Sequence, residues 1–113
     1  MHWIPLTDIA QLDAIDEASR STPILIFKHS TTCSISRTAL HRLERAWSVA
    51  DNDAHTTYHL DLLRYRALSN AIAERYAIEH ESPQVLVIRD GRCVSTASHF
   101  GITYAEVKEA LAP

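Results

Sequence analysis

An α/β fold with a central mixed sheet covered by helices is what this 113-residue sequence predicts, and three observations carry that reading. Helically spaced apolar residues alternate with short β-branched runs, in the order helix, strand, helix, strand, helix, strand, strand, helix. The last two strands flank Asp90-Gly91, a dipeptide that tolerates the positive φ of a tight hairpin. With 46% apolar and 22% charged residues, a single domain over residues 1–113 can bury a core without staples or metal.

Thr7-Asp8 opens the first helix, in which Ile9, Leu12, Ile15 and Ala18 lie about one turn apart and which ends near Arg20. Pro23 then introduces Ile24-Leu25-Ile26-Phe27, a run too short for a helix and suited to a strand buried on both faces. Polar His29-Ser30-Thr31-Thr32 follows as a loop. From Cys33, residues Ile35, Ala39, Leu43, Ala46, Trp47 and Ala50 fall on one side of a second helix, with Arg37, Arg42, Glu44 and Arg45 largely opposite. Asp51-Asn52-Asp53 breaks it, and Thr56 to Leu62 has the β-branched and aromatic content of a second strand.

Tyr65, Leu68, Ile72 and Tyr76, spaced 3, 4 and 4, mark a third helix ending near Ala77. Pro83 precedes the strand Gln84 to Ile88, and Arg92 to Ala97 returns after the turn. Tyr104, Val107 and Leu111 line one face of the closing helix. Parallel β-α-β units followed by a hairpin make a mixed sheet of four strands.

Composition removes several function classes. The formal net charge is −3 and no basic run occurs, so there is no electrostatic footprint for nucleic acid. The longest apolar runs are four residues, too short to enter a membrane as a span. Only Gly91 and Gly101 are present, which excludes phosphate-cradling glycine loops. The opening Met1-His2-Trp3-Ile4-Pro5 lacks a basic flank and a hydrophobic run, so no secretory leader is expected. Two cysteines, Cys33 and Cys93, stand 60 residues apart, a usage that fits a reducing cytoplasm and disfavours a structural disulfide.

Cys33 is the residue on which chemistry centres. A thiol at the first turn of a helix faces unpaired backbone N–H groups and the positive end of the macrodipole, and both favour the nucleophilic thiolate. Arg37 one turn along, with Lys28 and His29 at the end of the preceding strand, is expected to add positive character. In Cys33-Ser34-Ile35-Ser36 the place of a resolving cysteine holds a hydroxyl, which cannot close an intramolecular disulfide. A mixed disulfide at Cys33 would therefore persist until an outside thiol attacked it. The plain alternative is a cysteine that fills space as a small hydrophobe. Pro83, at the first residue of an apolar strand, marks Ser82-Pro83 as a candidate cis bond.

These residues, in this order, resemble a thioredoxin-like fold. The stretch Phe27-Lys28-His29-Ser30-Thr31-Thr32-Cys33-Ser34-Ile35-Ser36 closely resembles the bacillithiol-system redox proteins of the YtxJ family, the monothiol bacilliredoxins. The likeness continues through Ser69 to Tyr76, Glu79 to Gln84 and Ala97-Ser98-His99, and so spans nearly the whole chain. It implies a cytoplasmic thiol-disulfide oxidoreductase with no tightly bound cofactor that uses bacillithiol as co-substrate and S-thiolated proteins as partners. Cys33 would take bacillithiol from protein mixed disulfides and be released by a second bacillithiol. By the same likeness Ser82 and Pro83 would lie against the sulfur, Thr32, Ser34, Ile35 and Ser36 would form the rest of the rim, and Arg37 would meet the malate carboxylates.

Departures from thioredoxin are also legible. Thioredoxins place a second cysteine at the helix start and a buried acid in the preceding strand. Here Phe27 and Lys28 stand at that depth, and the Tyr76 to Pro83 spacing is one residue longer. Cys93 reads as an inert strand residue, with a resolving role as the alternative. His55 and His59 have metal-like spacing only on a helix and fall in a strand instead, so no metal is expected. His99 reads as a capping or hydrogen-bonding residue, with a place beside the site as the alternative, and Trp3 and Trp47 read as packing. Two competing functions remain: a glutathione-dependent monothiol glutaredoxin or iron–sulfur carrier, whose usual Cys-Gly-Phe-Ser is absent, and a non-catalytic thioredoxin-like binding or stress-response module.

Overall fold

A computed structural model describes residues 1–113. In chain order the elements are β1 (Trp3–Pro5), α1 (Ala10–Ala18), β2 (Ile24–His29), α2 (Ser34–Ala46), α3 (Val49–Ala54), β3 (Thr56–Asp61), α4 (Arg66–Tyr76), β4 (Gln84–Arg89), β5 (Arg92–Ser98), a 3-10 turn (His99–Gly101) and α5 (Tyr104–Leu111). The sheet has five strands in the order β1-β3-β2-β4-β5. β3 runs parallel to both β1 and β2, whereas β4 runs antiparallel to β2 and β5.

The fifth strand corrects the expected four. Trp3–Pro5 is too short to display a period and ends in proline, so its pairing with Thr57–His59 is decided by tertiary contact at a sheet edge. A second correction concerns the long helix. α2 stops at Ala46 because Trp47 turns extended, and Ser48 starts a new helix through a capping box in which its hydroxyl accepts from Asp51 N–H while Asp51 accepts from Ser48 N–H. Asp51-Asn52-Asp53, expected to break a helix, therefore lies inside α3. The first helix begins at Ala10 rather than at Thr7-Asp8, with Asp8 Oδ1 accepting from Ala10 N–H at 2.9 Å.

Alternation along the strands divides the core in two. Ile24 and Ile26 of β2 and Leu86 and Ile88 of β4 meet Leu12 and Ile15 of α1 and Leu68, Ile72 and Tyr76 of α4. On the opposite face Leu25, Phe27, Val85 and Val87 meet Ala39, Leu43 and Trp47 with Val107 and Leu111 of α5. All six residues of β2 are buried, as a central strand covered on both faces requires. The hairpin turn places Asp90 at φ 54° and Gly91 at φ 71°, the paired positive values of a type I′ turn.

Asp51 ties α3 to α5. It accepts from Ser48 N–H at 2.9 Å and Tyr104 O–H at 2.7 Å, and it pairs with Lys108. Burial pushes its carboxyl up, but the bonds from Lys108, Ser48 and Tyr104 outweigh that and hold it well below the usual carboxylate range. Asp51→Ala should cost about 2 kcal/mol, read as a lower urea midpoint at neutral pH, because it removes the buried acceptor shared by Ser48, Tyr104 and Lys108. An unchanged midpoint would show that the cluster adds nothing to stability.

Candidate active site

The site is assembled at one end of the sheet. Lys28 pairs with Gln84 in antiparallel register, so the chain leaving β2 after His29 and the chain entering β4 at Pro83 emerge side by side. The Ser82-Pro83 peptide is cis. Pro83 is buried and Ser82 half-buried. The Pro83 carbonyl accepts from His99 N–H at 3.1 Å, and His99 Nε2 lies 3.3 Å from Glu81 Oε2. Gln84 Nε2 donates to the Glu79 carbonyl at 3.0 Å, which closes the loop ahead of the proline.

Cys33 is the N-cap of α2, in extended backbone conformation and half-buried. Its N–H donates to the Ser30 carbonyl at 3.2 Å, and its own carbonyl accepts from Arg37 N–H at 3.1 Å. The sulfur is thus carried on the positive end of a 13-residue helix. Thr32 and Ser34 are exposed on either side and Ile35 is half-buried. Arg37 is exposed, and its Nη1 donates to the Thr31 carbonyl at 3.1 Å, bracing the loop that precedes the cysteine. A shallow groove of about 510 Å³, lined by Ser34, Arg37, Thr38, His41, Arg42 and Arg45, opens along this helix.

Ser36 differs from its rim neighbours. It is fully buried, its Oγ accepting from Ser30 N–H at 3.0 Å and sharing a hydrogen with His29 Nδ1 at 2.7 Å. The hydroxyl at the position of a resolving cysteine is therefore turned inward, because helix periodicity places the third residue of α2 over the sheet. Ser36→Ala should lower stability by about 1–2 kcal/mol in urea unfolding, since the buried Ser30 N–H loses its acceptor. Full stability of that variant would mean that water replaces the hydroxyl.

Lys28 and His29, expected to lend charge to Cys33, are instead buried on opposite faces of β2. Lys28 is fully buried, with Nζ 3.1 Å from the Ser69 carbonyl and 3.3 Å from His80 Nδ1, and burial pushes its pKa down to about 8. Ser69 Oγ also lies 3.3 Å from His80 Nδ1. This cluster joins β2, α4 and the loop before Pro83. His29 is held below its ordinary value by burial and by neighbouring His59, with Asp61 and Glu44 pulling the other way and Arg37 adding to the depression. Of the three cations expected beside Cys33, Arg37 alone is exposed.

Cys93 sits in β5 opposite Ile88, five residues along β4 from Pro83, or about 16 Å at the rise of a strand. Both cysteines are free. Burial pushes the Cys93 thiol up, and its Sγ donates to the Ser95 carbonyl at 3.3 Å. His59 lies in β3 with its ring stacked on Phe27 at 6.5 Å, and His55 lies outside that strand with Nε2 3.3 Å from Lys108 Nζ. No group of three or more His, Cys, Asp or Glu side chains comes together as a metal-ligand set. No helix is long and apolar enough to cross a membrane. Trp3 packs edge-on to Phe27 at 5.9 Å and Trp47 is buried against Tyr104 at 6.0 Å.

Comparison with known families places this arrangement. Residues 4–107 match the family model described as monothiol bacilliredoxin BrxC. The chain belongs to the monothiol bacilliredoxin family. A solved structure described as a putative oxidoreductase with a thioredoxin fold is 28% identical, with a TM-score of 0.80 over 95% of this chain and 91% of that one. Thioredoxins share the fold at lower identity. The Malassezia sympodialis protein has 14% identity and a TM-score of 0.70 over 95% of this chain and 85% of its own. The Schistosoma mansoni protein has 16% and 0.68 over 98% and 96%.

As a monothiol bacilliredoxin, the protein is a thiol-disulfide oxidoreductase of thioredoxin-like fold. Two parts of this bacilliredoxin escaped sequence reasoning: the His29–Ser36 pair and the Lys28–Ser69–His80 cluster. Their one legible signal was a pair of polar residues closing an otherwise apolar buried run, Lys28-His29 after Ile24 to Phe27.

Proposed function

We propose that this protein removes bacillithiol from protein mixed disulfides through Cys33 alone. The observation that carries the reading is the inward, hydrogen-bonded Ser36, which leaves Cys33 as the one sulfur at this end of the sheet. In the first step the Cys33 thiolate attacks the bacillithiol sulfur of the mixed disulfide. The Cys33–bacillithiol S–S bond forms as the protein–bacillithiol S–S bond breaks, and the protein sulfur leaves as a thiolate that takes a proton from solvent. A second bacillithiol thiolate then attacks the bacillithiol sulfur held by Cys33. That step yields bacillithiol disulfide and regenerates the Cys33 thiolate, so each protein thiol released consumes one bacillithiol.

In this reading Thr32, Ser34 and Ile35 rim the sulfur, Ser36 supports the turn from below, and Ser82 and Pro83 form the facing wall. Arg37 spends one N–H on Thr31 and has others free for the malate carboxylates of bacillithiol. Bacillithiol is the co-substrate, S-thiolated cytoplasmic proteins are the partners, and no tightly bound cofactor takes part. Mass spectrometry after mixing with bacillithiol disulfide should show one adduct, on Cys33. Absence of the adduct, equal labelling of Cys93, or turnover with glutathione alone would overturn the assignment.

A further inference from the structure

The exposed face of α2 continues well past the sulfur. Arg37, His41, Arg42 and Arg45 follow one another at helical spacing along the groove beside Cys33, and a smaller depression of about 320 Å³ between Arg42, Arg45 and Ala46 extends it. The whole chain carries a net charge of −3, yet none of these arginines enters an ion pair; the five that form use Arg20, Arg75, His99 and Lys108 as cations. Glu44, the one acid of α2, is drawn aside to accept from Trp3 Nε1 at 3.0 Å. A basic stripe without acidic partners thus leads away from the sulfur on an otherwise acidic protein.

We propose that this stripe docks an acidic segment of the protein substrate, so that mixed disulfides flanked by Asp and Glu are preferred. The proposal rests on the exchange reading above and adds the substrate class to it. Reach separates this role from the binding of the small thiol. Arg45 stands eleven residues beyond Ser34, about 16 Å along the helix axis. A thiol of tripeptide size spans at most about 10 Å from Cys33, whereas five extended residues of a polypeptide cover the distance. Arg42, about 12 Å along the axis, is within reach of either ligand once its own side chain is counted, whereas the far end of the stripe at Arg45 is spanned in full only by a polypeptide. Each exposed contact is weak in high dielectric, so the stripe acts through the summed field, raising the encounter rate in a salt-dependent way. Nucleic acid is disfavoured as the occupant because three arginines on one helix face supply too few phosphate contacts for a polyanionic backbone.

The test uses two 12-residue peptides, each with one central cysteine in mixed disulfide with bacillithiol, flanked on both sides by Glu in one and by Lys in the other. Wild-type protein should release bacillithiol from the Glu peptide with kcat/KM about tenfold above the Lys peptide at low salt, and the difference should shrink as salt rises to molar strength. Arg42→Glu/Arg45→Glu should reverse the preference while adduct formation with a small uncharged disulfide such as 2-hydroxyethyl disulfide keeps its wild-type rate. A wild-type enzyme blind to flanking charge overturns the proposal without any variant. So does a double variant that loses the small-disulfide and Glu-peptide rates together, or a face that retains a single-stranded 12-mer of nucleic acid while both peptides react alike. If wild type forms no adduct with bacillithiol disulfide, the exchange reading falls and this proposal with it.

Discussion

Cys33→Ser is expected to bring release of bacillithiol from a mixed-disulfide peptide down to the uncatalysed background, a loss of about a thousandfold or more, while Cys93→Ser retains wild-type turnover. The reason is chemical. A hydroxyl at the N-cap of α2 keeps the helix start but cannot form the S–S bond through which exchange proceeds. Cys93 offers no substitute: it is carried on the edge strand near the hairpin, its thiol is pushed up by burial, and its Sγ–H is engaged by the Ser95 carbonyl. Chromatographic measurement of released bacillithiol across both variants checks the prediction. Residual turnover in Cys33→Ser that disappears in the double variant would move the nucleophile to Cys93.

Lys28→Met should change the pH dependence of stability more than any other surface or core substitution at the site. The Lys28 ammonium is fully buried, with the Ser69 carbonyl and His80 as its polar partners, and its pKa falls from 10.5 to about 8. Between those values the unfolded chain binds more protons at this residue than the folded one, so wild-type stability rises with pH across that window. Below about pH 8 both states are protonated and the burial penalty is present in full, at about 3 kcal/mol; above about pH 10.5 it is gone. Methionine keeps the unbranched shape of the side chain, one atom shorter, without the charge. The difference in unfolding free energy, wild type minus variant, should therefore climb by about 3 kcal/mol between pH 7 and 10.5 in paired urea titrations. A flat difference would mean that the ammonium is solvated in the folded protein.

Local rules recovered most of the fold because most of it obeys them. The apolar run Ile24 to Phe27 becomes the central strand, the spacing of Tyr65 to Tyr76 becomes α4, and Asp90-Gly91 becomes a type I′ turn, each from short-range sterics and burial. The errors share a cause. Trp3–Pro5 has no period and gains its strand from pairing with β3, and the break after Ala46 depends on a capping box whose acid also engages Tyr104 and Lys108 more than fifty residues away. At the site, a thiol at a helix start could be placed from spacing alone, and its monothiol character could be read from Ser36. Which way that serine faces could not be read, because it depends on His29 arriving from the neighbouring strand.

The amino-acid order by itself thus determined the α/β order of every element but β1 and α3, the position of Cys33 at a helix N-terminus and the lack of a second sulfur in the same turn, since each is a matter of neighbours in sequence. Tertiary structure alone decided that Lys28 and His29 are buried on opposite faces of one strand, that Cys93 is at the far end of the sheet, and that the arginines of α2 have no acidic partner. Those are outcomes of strand register and helix rotation against the sheet, which bring together residues separated by tens of positions and turn neighbours in sequence away from each other.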